Sequence, residues 1–344
     1  MSATAGQAPA AAEVADGAPA GGSARRGPGR RGPGRKWTAE FIGFFLVFLG
    51  VPLTLFVVFV IWPFAQAAYY SMTNWSGFAA EFDVIGVNNY VQLFNDDVFR
   101  TAVWNSARLA LVVPLITITI ALIFASLITV GGSSRGQIRG LSGSDFYRVV
   151  SFFPYAIPAI VIALMWRLIF DPNIGLINGI LSGLGLDQFE SYPWLGRVAT
   201  AMPVTMFVII WGMIGFYMLL FIAAIKGVPA ETFEAARLDG AGRFRTIRSI
   251  ILPLIRNNVQ TAWIYLGIIA LDGFVYVQAL NPTGGPANDT LVMSQYLFRT
   301  AFTDGRFGLA SAMGVVLALV TLLFATIVFS VNRLLGGRDE KGTS

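Results

Sequence analysis

The sequence predicts an all-α membrane protein with six transmembrane helices, and three observations carry that expectation. The 344 residues are 55% hydrophobic and 12% charged, whereas a soluble domain is roughly 25% charged. Six nearly uncharged stretches approach bilayer length, which takes roughly 20 apolar residues at about 1.5 Å of rise each. Most of the basic residues fall on one side of those stretches. Mean hydropathy is +0.66. With no Cys and no His, the chain has no disulfide framework, Cys/His zinc site, thiol nucleophile or His-based triad.

The spans follow in order. Phe41–Ile61 and Leu109–Val130 contain no charge, and Val149–Trp166 is apolar up to Arg167. Val198–Ile225 is long enough to cross with tilt. Val259–Leu280 contains one charge, Asp272, and Leu309–Val331 contains none. Pro52, Pro114, Pro154, Pro158 and Pro203 lie within or near the ends of these runs; membrane helices tolerate proline where neighbours satisfy the freed carbonyl.

Orientation follows from the basic residues. The stretches before span one, between spans two and three, between spans four and five, and after span six hold 18 of the 24 Lys and Arg. Both termini are therefore expected in the cytoplasm. Residues 1–36 are rich in Ala, Gly and Pro, repeat Arg-Arg-Gly-Pro-Gly, and have too few apolar residues for a core, so a disordered tail is expected. The tail lacks the interleaved aromatics of a nucleic-acid binder, and membrane headgroups are its expected partner. Ala65-Gln66-Ala67 resembles a signal-peptidase site, but the apolar run before it is longer than a signal peptide's, and cleavage is not expected. The outer loops carry Tyr69, Tyr70, Trp75 and Trp104, which suit a membrane interface, and none is large enough for a catalytic domain.

The loop between spans four and five reads as a short capped helix. Pro229 suits the first helical position, Glu231 and Glu234 sit near the positive end of the dipole, and Gly240 can stop the helix in a left-handed conformation. Phe233, Ala236 and Gly240 recur at helical spacing and form a slim stripe that would let another surface approach closely. A second helical segment runs from Arg243 toward Ile250-Ile251-Leu252-Pro253. On physics alone, this is equally a surface helix that connects two spans.

Glu234-Ala235-Ala236, three residues, Gly240, nine residues, then Ile250-x-Leu252-Pro253 match the cytoplasmic signature of binding-protein-dependent ABC transporter permeases. The chain resembles their sugar-permease branch over roughly residues 40 to 335, and is similar to the first permease subunit of maltose-type importers. Asn88-Asn89-Tyr90, Phe170 to Asn178, Trp211, Phe216-Tyr217 and Gly284-Gly285-Pro286 fit as well. Leu280-Asn281-Pro282-Thr283 departs from the Thr-Gly-Gly-Gly-Pro usual at that point.

The resemblance implies a type I ABC importer permease fold with a permease domain over residues 37–335, the basic tail over 1–36 and a C-terminal tail over 336–344. It also implies a multi-pass protein of the bacterial cytoplasmic membrane. Its expected partners are a second six-span permease, two ATPase subunits and an extracellular solute-binding lipoprotein. Glu234, Ala235, Ala236, Asp239, Gly240, Ile250, Leu252 and Pro253 would couple to the ATPase. ATP and Mg2+ would be bound there and not in this chain. Independently, the only lysines are Lys36, Lys226 and Lys341, and none stands in a Walker A sequence.

An ionisable residue within a span is a functional candidate, because charge in lipid is costly; Asp272 is the one well inside, with a structural partner or a slightly misplaced span as the competing explanation. Sugar sites pair aromatic faces with a few polar groups. Resemblance to maltose-type permeases puts Phe216 and Ile269 near the path, with Trp211, Tyr217 and Tyr265 as neighbours on the same spans. For each ring alone, helix packing is the competing explanation. Other classes remain open. An ion-coupled transporter would show inverted repeats and several intramembrane charges, and an intramembrane enzyme would need a catalytic constellation. A permease for a non-sugar solute is a further alternative. The sequence does not name the sugar: the Ala/Gly/Pro/Arg-rich tail hints at a high-GC bacterium, and a chitin-derived amino sugar or a plant-derived oligosaccharide is a guess that rests on that hint alone.

Overall fold

A computed structural model describes residues 43–129 and 143–336. The tail expected over 1–36 and nearly all of the one expected over 336–344 lie outside the described residues. Residues through Phe59 and residues from Val60 onward form two compact units.

The described part of the first unit is the opening of helix α1 (Gly43–Tyr70), whose apolar length is sufficient to cross a membrane. None of its residues is buried. Two π-helical turns, Leu46–Gly50 and Val57–Ile61, come just before Pro52 and Pro63. A widened turn makes room for a ring that otherwise collides with the preceding carbonyl.

The second unit is built on two long rods. α3 (Asp97–Thr129) and α7 (Val198–Lys226) run through as single helices, with Pro114 and Pro203 inside them. They pack against each other, and α10 (Arg256–Asp272) joins α3. Their shared core holds Leu109, Val113, Ile209, Met218, Phe221 and Leu266. In lipid there is no hydrophobic drive between helices, so this packing rests on close contact and small residues.

Two spans are not single rods. The third is α4 (Ser144–Ala156) followed by α5 (Ala159–Ile169), bent by 95°. Ile157 is extended at φ −87°, ψ 135°, as a residue before proline is pushed to be, and Pro158 then opens α5. The fifth span is α10 followed by α11 (Phe274–Leu280), bent by 42°. Gly273 makes this break at φ 54°, a left-handed conformation that glycine adopts without a β-carbon penalty. Counting each bent pair as one span gives six, the number expected. α13 (Phe307–Gly336) is the last.

At the ends away from the loop after α7, stretches expected only as loops hold further helices: α2 (Asn88–Asn95), α6 (Leu176–Gly183) and α12 (Met293–Phe302). They are tied by buried amides. Asn89 Nδ2 donates to the carbonyls of Ser71 and Thr73, both at 2.8 Å. Asn105, buried on α3, donates to the carbonyls of Asn288 and Leu291, both at 3.0 Å. The segment it holds includes Ala287 and Asn288 at positive φ, 51° and 62°. Asn105→Ala leaves those carbonyls unsatisfied. It is expected to cost about 2–3 kcal/mol, read as an earlier thermal transition of the purified protein.

Candidate functional site

Two regions hold the residues singled out by the sequence. The first is the loop after α7. Helix α8 spans Ala230–Leu238, and Gly240 follows at φ 70°. The Ala241 N–H donates to the Ala236 carbonyl at 2.9 Å, and that of Asp239 to the Ala235 carbonyl at 3.0 Å, closing the helix end with a left-handed residue.

The faces of α8 are sorted differently from the sequence expectation. Phe233 and Ala236 are buried, and Phe233 belongs to the same core as α7. Of the slim stripe, Phe233 and Ala236 therefore fasten α8 to its own bundle and are not presented to another surface. The presented face carries Glu231, Glu234, Ala235 and Leu238, at the spacing that puts residues three and four apart side by side. Leu238 is 88% exposed. Sequence reasoning passed over it, although a leucine ending a short polar helix was the available signal. Asp239 and Gly240 are also exposed. Beyond them lies α9, a helical stretch over 243–254 with a π-turn at Ile247–Ile251. Ile250 is half-buried there, Ile251 is buried, and Leu252 and Pro253 are exposed.

The second region lies at the breaks of spans three and five. Tyr155, at the end of α4, stacks on Phe216 of α7 at 4.6 Å between centroids and 22° between planes. Phe216 meets Tyr217 edge to face at 5.2 Å. The Tyr276 hydroxyl of α11 lies against Gly212 of α7, where a β-carbon would come within 3.0 Å of it. Three tyrosines from three elements thus gather where two helices are interrupted. No sequence pattern groups Tyr155 and Tyr276 with Phe216 and Tyr217, because the bends that bring them together have no local periodicity.

Trp211 packs edge to face on Trp166 of α5 at 5.3 Å, while Tyr217 is buried in the bundle. Tyr265, Ile269 and Asp272 lie along one exposed face of α10, again at helical spacing. Asp272 sits at the break itself, and its carbonyl accepts a hydrogen bond from Ser294 Oγ of α12. A carboxylate on an exposed mid-span face calls for a wet cavity or a partner. Among the described residues no group of His, Cys, Asp and Glu could hold a metal ion.

α12 is braced independently of that break. The Tyr296 hydroxyl donates to Asp96 Oδ2 at 2.6 Å. Burial and this carboxylate push the phenol up to about 12. The donor therefore stays protonated at physiological pH, and the brace is lost only as pH climbs from the ordinary tyrosine range toward that value.

Comparison with known proteins gives four findings. The family described as "Binding-protein-dependent transport system inner membrane component" matches residues 128–338. The diacetylchitobiose uptake system permease protein NgcF of Streptomyces coelicolor is 59% identical, over 88% of this chain and 86% of its own. The multiple sugar-binding transport system permease protein MsmF of Streptococcus mutans is 29% identical, over 83% and 94%. Among solved structures, a chain of a bacterial alginate ABC transporter, in complex with an alginate pentasaccharide-bound periplasmic protein, aligns with a TM-score of 0.73. It has 23% identity, covering 88% of this chain and 98% of its own; at that identity the likeness establishes the fold.

Proposed function

Because the chain belongs to the family of binding-protein-dependent transport system inner membrane components, we propose that it is a sugar permease whose solute is an amino-sugar disaccharide of the diacetylchitobiose kind. The observation that carries this reading is the 59% identity, over 88% of the chain, to a diacetylchitobiose uptake permease. The tyrosines at the helix breaks support it, since phenol rings and hydroxyls suit the apolar face and the equatorial hydroxyls of a pyranose.

In this reading a second six-span permease completes the pathway and an extracellular lipoprotein delivers the solute. Two separate ATPase subunits bind ATP and Mg2+, and both termini are cytoplasmic. α8 is the coupling helix: Glu234, Ala235 and Leu238 meet the ATPase, Phe233 and Ala236 fasten the helix to the bundle, and Gly240 fixes its end. Asp239, Ile250, Leu252 and Pro253 frame the same contact. Closure of the ATPases on ATP moves α8 as a lever and opens the bundle outward, a rigid-body switch around a central site. Trp211, Phe216, Tyr217, Tyr265, Ile269 and Asp272 lie along the solute's route.

The test is uptake of radiolabelled diacetylchitobiose into proteoliposomes that hold the complete transporter. Uptake is expected only with ATP on the ATPase side and the loaded binding protein on the other. ATP-dependent uptake of a different solute class, with no disaccharide transport, would overturn the assignment.

A further inference from the structure

Helix α12 divides its residues unusually: it buries Ser294, Gln295 and Thr300 beside Met293 and Ala301, and leaves Phe298 and Phe302 exposed beside Arg299. A helix folded for its own bundle would bury the phenylalanines. Those two rings, four residues apart, stand on one face at 4.9 Å between centroids.

They are the middle of a continuous row. Phe274, two residues past Asp272, lies 5.3 Å from Phe298. Phe302 lies 5.4 Å from Phe307, and Phe307 lies 5.8 Å from Trp75. Trp75 stacks on Tyr70 at 4.2 Å. The row begins at the break of the fifth span and ends with Trp75, in the loop after α1, and Tyr70, the last residue of that helix. That loop is fastened to α13 by the Gly308 N–H, which donates to the Trp75 carbonyl at 2.8 Å. Exposed charges flank the rings: Arg299, Asp304 and Arg306. At the break the row starts beside Asp272, a carboxylate that a face lying in lipid would not carry.

We propose that this row is a second sugar-binding track, distinct from the tyrosine cluster at the helix breaks. Pyranose rings stack on it as an oligosaccharide passes from the outer surface toward Asp272. Aromatic faces take the apolar C–H face of a sugar in any register, so successive rings let the solute advance without a deep well at one position. The flanking charges and Thr303 supply exchangeable hydrogen bonds to its hydroxyls. The inference rests on the reading of the chain as a sugar permease and adds where the solute goes before it reaches the centre.

Phe302 is the ring to change, since it is 65% exposed and leaves little packing to lose. In the complete reconstituted transporter, Phe302→Leu keeps bulk and removes the π face, while Phe302→Trp keeps the face. Two rates are read: uptake of labelled diacetylchitobiose at subsaturating loaded binding protein, and the ATP hydrolysis which that protein stimulates. Phe302→Leu is expected to lower uptake roughly three- to tenfold, as the loss of one aromatic contact implies, with stimulated hydrolysis retained. Phe302→Trp is expected to transport like the wild type.

Four outcomes overturn the track. Wild-type uptake in Phe302→Leu makes the row mere packing. A parallel fall in uptake and stimulated hydrolysis makes it the docking surface for the binding protein. A Phe302→Leu protein missing from the membrane makes the ring structural. A wild-type transporter that moves no sugar overturns the permease assignment itself, and the track with it.

Discussion

Gly215→Ala is expected to remove most of the protein from the membrane. The backbone of α4 crosses α7 at this residue, and a β-carbon there would run into the Ser151 carbonyl and come within 2.7 Å of the Phe152 α-carbon. Both obstacles are main chain, so no rotamer change relieves the collision, and α4 must move as a body. Overpacking of this kind costs about 3 kcal/mol or more, a large share of a typical stability of about 5–15 kcal/mol. Gly212→Ala, one turn earlier, is the control. Its β-carbon meets the end of the Tyr276 side chain at 3.0 Å, which can swing away, and a loss of about 1 kcal/mol is expected. Quantifying membrane-inserted protein and its thermal transition for both variants checks the contrast. Equal behaviour would mean that α4 and α7 do not approach as closely as described.

Glu234→Ala is expected to leave the protein in the membrane and to reduce ATP-driven uptake at least roughly tenfold, the scale of a central interface residue. Glu234 is exposed on α8 beside Ala235 and Leu238, so its removal disturbs no core. Gly240→Ala acts by another route. Its β-carbon meets open space, so the cost is purely conformational: a left-handed φ of 70° penalises alanine by about 1 kcal/mol. The end of α8 then loosens while the bundle stays intact. Hydrolysis that continues while uptake falls is the expected signature in both variants. Unchanged uptake in both would remove α8 from the coupling role.

Much of this was legible in the sequence, and the boundary has physical causes. The spans could be read because lipid demands long uncharged helices, and only length and charge are needed to see them. The stop at Gly240 could be read because a left-handed residue at a helix end is a local event. The break before Pro158 had its signal too, in the residue that a proline displaces from the helical region. Its 95° angle did not, since Pro114 and Pro203 sit in unbroken helices. The direction in which Phe233 faces was misjudged for a related reason. Periodicity identifies a stripe but not whether its neighbour is the chain itself or another subunit. Likewise Tyr155 and Tyr276 join Phe216 and Tyr217 through tertiary folding alone, and α12 buries Ser294, Gln295 and Thr300 while leaving Phe298 and Phe302 exposed, against the pattern that ordinarily marks a surface helix.

The right-angle break at Ile157–Pro158 has a consequence for timing. Each half of that span is about 11–13 residues, roughly 17–20 Å long, and falls short of a core about 30 Å thick. The halves also answer to different neighbours: α4 packs mainly on α7, and α5 mainly on α11. A push arriving through α7 can therefore swing α4 while α5 stays with the upper part of the fifth span. On the proposed reading as a permease, two such halves would work as an airlock, one door shutting before the other opens.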